Sequence, residues 1–568
     1  MRLALAQINP TVGDADANAA RIADLLDDAR RRRADLVVFP ELCISGYPPR
    51  DLLFLDGFVD AMHRAAQRLG RHHSAGLTAV LGCPLHAQPR GVTNSLLVFR
   101  DGLQLARYDK RLLPTYDVFD EDRYFVPGSA PTTFDLNGTR VGLAICEDLW
   151  KGHDAGFAQR YLDAPDPVAD LARLGASLIL VPSASPFVLG KGRRHRDILA
   201  HHARTHRLTV ASVNQVGGND DLVFDGHAAI FNPDGLLVAA APGFADHLLL
   251  HDLDPAAPAV PDPLLNADDD ELLFHALVLG TRDYCLKSGF RDALLGISGG
   301  IDSALSAAIA VAALGPDHLT GVILPGPYSS DHARADALDL AKRLRFRALE
   351  VPINPAVDGL RHAIDPALLS LHQPALGASL PDLAEENLQS RVRGTILMAL
   401  SNRSGAILLT TGNKSELAVG YCTLYGDMNG GLALISDLAK MQVYRLARWL
   451  NLHHRRAGFD QPPIPQRSID KAPSAELRPN QTDQDSLPPY DALDQIVVGY
   501  VERRESAHAI ARRAGLDLDL VLRITRMIDA AEFKRRQAPI GLKVTSVAFG
   551  PGRRAPIVHR FRPPPPTT

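Results

Sequence analysis

"LLGISGGIDSALSAAIAVAAL", Leu294–Leu314, is an apolar, strand-like run that breaks at Ser298, Gly299 and Gly300 and continues as an Ala-rich helix. A strand turning through glycines into a helix presents backbone N–H groups at the helix N-terminus, a ready cradle for phosphate. Asp302 falls inside that cradle. A bare carboxylate repels phosphate, so the stretch calls for a divalent cation between the two. No GxxxxGK[ST] occurs, which excludes a Walker A loop. A second acid, Glu416, lies in "LLTTGNKSELAVGYCTLYGDMNGG" after another apolar strand. Mg²⁺ is held by one or two carboxylates plus substrate phosphates, and Asp302 with Glu416 is the pair expected to share it.

Outward from this stretch the pattern is βαβ. A helix ("ELLFHALVLGTRDYCLKSG") precedes the strand "ALLGI", and a strand "TGVILP" and a helix "DHARADALDLAKRLR" follow, the order of a doubly wound parallel sheet. Ligands bind such sheets at the carboxyl ends of the strands, where the opening stretch lies. Upstream, from Met1 to about Asp252, short apolar runs ("LVVF", "VGLAI", "SLILV", "LTVASV") alternate with helical stretches such as "NAARIADLLDDARRRR", as in a layered α-β-β-α domain. Between the two, residues 253–270 are rich in Pro, Ala and Asp without periodicity and read as a linker. The expected organisation is therefore a first domain over 1–252, a second over 271–560, and a Pro-rich tail over 561–568. "QPPIPQRSIDKAPSAELRPNQTDQDSLPPYDALD", 461–494, reads as a long loop too polar and Pro-rich for a packed element, of the kind that serves as a lid.

Composition sets the class. A chain of 568 residues needs two or more cores; with 46% hydrophobic and 22% charged residues and net charge -4 it reads as a globular protein with no basic excess for nucleic acid. The five cysteines, Cys43, Cys83, Cys146, Cys285 and Cys422, are scattered without a CxxC pair, which argues against a disulfide framework or zinc site and for a reducing compartment. "MRLALAQINP" reads as a first strand rather than a secretory signal, and the apolar run "LSAAIAVAAL" is far short of the roughly 18 residues a membrane span needs. The expectation is a cytoplasmic protein with no membrane or nucleic-acid partner.

"SGGIDS" resembles the loop of the pyrophosphate-releasing, ATP-dependent amidating enzymes. Together with "ENLQSRVRG", "TTGNKSELAVGYCTLYGDMNGG", "DKAPSAEL", "DQDSLPPY" and "EFKRRQAPIG" it is similar to NAD synthetase over nearly all of 271–560. The resemblance implies ATP as co-substrate, held by Gly296, Ile297, Ser298, Gly299, Gly300, Ile301, Asp302, Ser303 and Thr411. It places the dinucleotide deamido-NAD on Asn387, Glu416 and Lys534, and phosphates on Lys440. For Lys440 and Lys534 the alternative is a solvated basic face. A carboxylate has a poor leaving group, so ATP must first convert it to an acyl adenylate before ammonia can displace AMP.

In the first domain, Glu41 in "DLVVFPELCISGYPP", Lys110 in "RYDKRLLPTYDVFDEDRYFVPG" and Cys146 in "VGLAICEDLW" follow apolar strands or lie in a loop. They are similar to the Glu, Lys and Cys triad of the nitrilase, or carbon-nitrogen hydrolase, superfamily, over about residues 2–250. The resemblance implies a thiol attack by Cys146 on the glutamine side-chain amide, proton transfer by Glu41 and oxyanion stabilisation by Lys110. With Glu147 and Asp148 adjoining Cys146, a cation close by is needed to favour the thiolate. Further likeness assigns Tyr116, Ser185 and Lys191 to glutamine and Glu121 to orienting Lys110. Cys43, close to Glu41, is the rival nucleophile.

The two halves together imply a glutaminase feeding ammonia to a ligase, in a homo-oligomer. Two other readings stay open at this point: an amidating enzyme with a different carboxylate or nucleotide acceptor, and a nitrilase-like binding protein with an inactive second half.

Overall fold

The structure is a computed structural model that describes residues 1–87, 89, 91–151, 161–377 and 381–561. The expected Pro-rich tail lies, beyond its first residue, outside the described residues. The chain forms two compact units, Met1–Asp269 and Asp270–Thr568.

The strands of the first unit are β1 (Arg2–Gln7), β2 (Leu36–Val38), β3 (Thr78–His86), β4 (Val92–Arg100), β5 (Leu103–Asp109), β6 (Thr132–Leu136), β7 (Thr139–Leu143), β8 (Leu178–Ser183), β9 (Thr209–Asn214), β10 (Val216–Asn219), β11 (Leu222–Asp225), β12 (Ala229–Phe231), β13 (Leu237–Ala240) and β14 (His247–Asp252). They build two six-stranded sheets, β14-β1-β2-β3-β4-β5 and β13-β12-β9-β8-β7-β6, and a small β10-β11 ribbon. Each large sheet has a parallel centre (β1-β2-β3 and β7-β8-β9) flanked by antiparallel strands.

Side chains alternate across each sheet. Leu3 and Leu5 of β1 join Val38, Val80, Leu143, Leu180 and Val213 in a core between the sheets, whereas Ala4 and Ala6 join Ile22, Leu26, Met62 and Leu69 of the helices Ala15–Arg31 and Phe58–His73. On the other side Ile179 and Val181 pack on Leu171 and Leu199 of the helices Pro167–Arg173 and Lys191–His206. This is the expected α-β-β-α sandwich. Residues 253–268 lie on this unit, pinned by a buried ion pair of Arg196 Nε with Asp262 Oδ2 at 2.9 Å.

The second unit carries β15 (Ala293–Gly296), β16 (Leu319–Ile323), β17 (Arg347–Glu350), β18 (Ile407–Thr410), β19 (Leu432–Ala433) and β20 (Ile540–Gly541), ordered β17-β16-β15-β18-β19-β20 with every pairing parallel. Strand order reverses between β15 and β18, the switch point at which doubly wound sheets open a ligand crevice. The loop 297–300 leaves β15 there and the loop 411–413 leaves β18.

Segment 461–494 is for the most part the long loop expected, but it packs more than its polarity suggests. It holds the helix Gln466–Asp470 and the start of the helix Tyr490–Val497, and buries Ile464, Ile469, Leu487, Tyr490 and Leu493. Some of its polar groups are satisfied within the segment: Leu477 N donates to Gln481 Oε1 at 2.8 Å and Asp483 N to Pro473 O at 3.1 Å. Local bonds of this kind let a polar stretch pack without long-range ladders. Among the described residues no helix is long and apolar enough to cross a membrane.

Candidate active sites

In the first unit, Glu41 follows β2, Lys110 follows β5 and Cys146 follows β7. They converge. Lys110 Nζ donates to Glu41 Oε1 at 2.7 Å and to Glu121 Oε1 at 2.8 Å, and all three residues are almost wholly buried. Glu41 has no freedom left: Asn94 Nδ2 donates to Oε1 at 2.6 Å and Ala184 N to Oε2 at 2.8 Å. Tyr47 OH donates to Glu121 Oε1 at 2.8 Å.

Cys146 has φ of 43° and opens a short 3₁₀ turn, Cys146–Leu149. Non-glycine residues rarely occupy this left-handed region, at a cost of roughly 1–3 kcal/mol, and persist there only where the surroundings impose it. Asp148 imposes it. Its Oδ2 accepts from Ile145 N at 2.8 Å and Tyr108 OH at 2.7 Å, and its Oδ1 from Arg111 N at 3.1 Å and Leu112 N at 2.9 Å. One carboxylate thereby staples the residues after Lys110 to the residue before Cys146. Nothing in the sequence marks Asp148 for this, because Tyr108, Arg111 and Leu112 are far away in the chain.

Burial drives the Cys146 thiol well above the ordinary thiol range; Glu41 and Glu147 push the same way, while Lys110 and Lys191 pull it down. The resting thiol is protonated, so attack by it requires a base to take that proton. Burial raises Glu121 to about 7, against the pull of Lys110. On Lys110 burial acts downward, and the Glu121 and Glu41 carboxylates outweigh it and keep the ammonium charged. Cys43 is not with this group: its Sγ meets Gly82 N at 3.3 Å, and burial pushes it to about 12.

Of the residues expected around glutamine, Tyr116 and Ser185 lie on loops and Lys191 opens the helix Lys191–His206. Tyr116 OH donates to Glu147 Oε2 at 3.0 Å, and Tyr161 OH to Glu147 Oε1 at 2.8 Å. Ser185, at the end of β8, is clamped by Asn214, which accepts from Ser185 N at 2.8 Å and donates to Ser185 O at 3.0 Å. Lys191 Nζ sits 5.8 Å from the Phe119 ring centroid and 5.9 Å from that of Trp150.

In the second unit a cavity of about 320 Å³ opens at the switch point, lined by Gly296, Ile297, Ser298, Gly300, Ile301, Asp302, Ser303, Thr411, Glu416 and Lys440. Gly299 has φ of +78°, and a Cβ there would lie 2.3 Å from Ala333 O, so only glycine fits. Ser298 and Ser303 tie the loop, their hydroxyls 3.2 Å apart. Gly300 caps the helix Ile301–Leu314 without a side-chain bond, leaving its first N–H groups to the cavity.

The acids meet across a cation. Lys440 Nζ donates to Asp302 Oδ2 at 2.6 Å and to Glu416 Oε1 at 3.2 Å. Asn413 Nδ2 donates to Asp302 Oδ1 at 2.9 Å, and Asn413 caps the helix Lys414–Val419 by accepting from Glu416 N at 3.0 Å. Lys440 is therefore no solvated surface charge. Burial raises Glu416 to about 7, Lys440 pulls it down, and Asp302 and Asp483 push it up. The two carboxylates face one point, a hard-oxygen donor set that fits a divalent ion completed by phosphate and water. Among the described residues no group of three or more His, Cys, Asp or Glu is arranged to hold a metal alone.

Asn387 and Lys534 reach this cavity at one remove, through a turn of which Tyr421, Cys422 and Asp427 line it. Thr423 Oγ1 donates to Asn387 Oδ1 at 2.8 Å, and Lys534 Nζ donates to Gly420 O at 2.8 Å and Cys422 O at 2.7 Å. Both brace the 420–427 turn rather than line the Asp302 cavity.

Two family models divide the chain, carbon-nitrogen hydrolase matching residues 2–258 and NAD synthase matching residues 273–538. The glutamine-dependent NAD(+) synthetase of Synechocystis sp. is 45% identical, covering 99% of both chains. The chain belongs to the glutamine-dependent NAD(+) synthetase family. A solved synthetase of this kind from Acinetobacter baumannii, in complex with ADP, is 36% identical over 98% of both chains with a TM-score of 0.73. A second, from Cytophaga hutchinsonii, is 22% identical over 98% of both chains and shows the same fold with a TM-score of 0.81. The nitrilase-like and parallel-sheet halves are those of the synthetase family, as the sequence motifs implied.

Proposed function

We propose that the chain makes NAD by ATP-dependent amidation of deamido-NAD, with nitrogen taken from glutamine. What carries the reading is the pairing, on one chain, of a cysteine beside a buried Glu–Lys pair with a glycine-turned anion cradle at a parallel-sheet switch point. In the first unit Cys146 Sγ attacks the glutamine amide carbon while Glu41 takes the thiol proton and passes it to the leaving nitrogen. Lys110 offsets the charge that develops on oxygen, as preorganised cations do in a dry site. Ammonia leaves, a thioester forms, and water hydrolyses it to glutamate and the free thiol. Tyr116, Ser185 and Lys191 hold the glutamine.

In the second unit the nicotinate carboxylate attacks the α-phosphorus of ATP, pyrophosphate departs into the 297–303 loop, and ammonia displaces AMP from the acyl adenylate. Gly296–Ser303 and Thr411 hold ATP, Asn387, Glu416 and Lys534 the dinucleotide, and Lys440 the phosphates. Mg²⁺, held by Asp302 and Glu416, supplies neutralisation of phosphate charge. An in-house nitrogen source matters because free ammonia is mostly protonated near neutrality. A closed homo-oligomer is part of this reading, supported by the prevalence of such assemblies among enzymes and tested by light scattering.

Glutamine labelled with ¹⁵N in its amide, supplied with ATP, Mg²⁺ and deamido-NAD, tests the reading by mass spectrometry. The expected products are glutamate, AMP, pyrophosphate and NAD one mass unit heavier. NAD without label, or label retained in glutamine, contradicts it.

A further inference from the structure

Lys440 occupies an awkward position for a cation. It is the first residue of the helix Lys440–Leu452, where the macrodipole is positive, and its side chain is almost wholly buried. Ala439, the capping residue, has no side-chain oxygen to offer that end. The neighbouring helix Tyr490–Val497 supplies what is missing. Asp494 Oδ2 accepts from Met441 N at 2.7 Å, and Ser415 Oγ accepts from Lys440 N at 2.9 Å while itself donating to Asp494. One turn earlier on that face, the ring of Tyr490 lies with its centroid 5.2 Å from Lys440 Nζ, within cation–π range. The ammonium is thus enclosed by Asp302, Glu416 and an aromatic face.

Tyr490 is itself tethered. Its hydroxyl donates to Asp483 Oδ2 at 2.7 Å, and Asp483 N bonds Pro473 O. Lys471, Pro473, Glu476 and Asp483 all line the cavity that holds Asp302. The segment is seated by Ser330 Oγ donating to Glu476 Oε1 at 2.9 Å and Gln389 Nε2 donating to Leu477 O at 2.9 Å.

We propose that Tyr490 is a positioning residue: its ring fixes the Lys440 ammonium in the cleft, and its bond to Asp483 couples that placement to the seating of the 471–483 segment. This rests on the cleft being the site of adenylation. The ring and the hydroxyl have separable duties, which is what makes the idea testable. The ring sets the rate by holding Lys440, and the hydroxyl sets substrate affinity by holding the segment.

The test is AMP formation by the full chain with ATP, Mg²⁺ and deamido-NAD, using ammonium chloride as nitrogen source, with kcat and the KM for ATP measured separately. Tyr490→Leu is expected to lower kcat at least thirtyfold. Tyr490→Phe keeps the ring and is expected to hold kcat within threefold of wild type while raising the KM about tenfold. Asp483→Ala should raise the KM at least as far as Tyr490→Phe, since it also removes a carboxylate that lines the cavity and acts on Glu416, and the double variant should raise it no more than twofold beyond Asp483→Ala alone, because the Tyr490–Asp483 bond is already gone. Equal kcat losses in the Leu and Phe variants, wild-type kcat in Tyr490→Leu, or KM effects that multiply in the double variant overturn the proposal. Should thermal melting show Tyr490→Leu unfolded, the Phe and Ala cycle decides alone. A wild type forming no AMP overturns the assigned reaction and this proposal with it, whereas wild-type turnover with multiplying KM effects overturns the proposal alone.

Discussion

Lys440 Nζ lies 2.6 Å from Asp302 Oδ2 across 138 residues of chain, on the line where a metal ion was expected from the sequence. The apparent anomaly of an acid in a phosphate cradle has a local solution in the protein's own cation.

Asp302→Ala removes one side of that arrangement and leaves the ammonium short of a partner. It is expected to lower AMP formation at least a hundredfold with glutamine and with ammonium alike, since both need the adenylate. Undiminished ammonium-driven turnover in this variant contradicts the placement of ATP at Asp302.

Burial raises the Glu416 carboxyl from 4.5 to about 7, so on the acid side it carries a proton and cannot hold a cation. The kcat/KM for ATP, followed by ATP–pyrophosphate exchange without any nitrogen source, should climb with pH to a plateau above about 7. A flat profile between pH 6 and 8 contradicts the assignment. For stability the sign is opposite: the folded chain binds this proton more tightly than the unfolded chain, so the contribution of Glu416 is complete below about 4.5 and is lost as pH rises through about 7.

Lys110→Met leaves the Glu41 and Glu121 carboxylates facing each other in a buried site. Breaking a buried ion pair from one side costs about 3–5 kcal/mol, partly relieved if the acids take up a proton. The expected result is loss of glutamine hydrolysis, a lower first melting transition by calorimetry, and retained ammonium-driven synthesis in chains that stay folded. Glutamine hydrolysis at the wild-type rate contradicts the role of Lys110.

Gly299→Ala forces a side chain into a φ of +78° with its Cβ 2.3 Å from Ala333 O. The loop must shift at a cost of roughly 1–3 kcal/mol. A KM for ATP raised about tenfold or more, with glutamine hydrolysis intact, is expected. An unchanged KM contradicts phosphate binding by the 297–303 loop.

Elements with regular hydrophobic patterning were legible in the sequence. "LVVF" and "ALLGI" contain β2 and β15, "SLILV" and "TGVILP" overlap most of β8 and β16, and "NAARIADLLDDARRRR" overlaps the helix Ala15–Arg31 up to its end. Glu41, Lys110 and Cys146 could be named from motifs, and the structure brings Glu41 and Lys110 within 2.7 Å. What holds them was not legible. Asn94 reaches Glu41 across 53 residues, Tyr47 reaches Glu121 across 74, and Asp494 caps a helix that begins 54 residues earlier by bonding Met441 N across 53. Such bonds depend on tertiary placement, and no local period or spacing encodes them. The burial within the 461–494 loop was not legible for a related reason, since bonds such as Gln389 Nε2 to Leu477 O, across 88 residues, seat it.

Cys146→Ala, assayed beside the wild type for NAD and AMP from deamido-NAD and ATP with glutamine or ammonium chloride, tests most directly whether one chain joins two chemistries. The account predicts that the variant forms no NAD from glutamine while its ammonium-driven rate stays within threefold of wild type. NAD formed from glutamine by the variant, or loss of both activities in a folded variant, would contradict it.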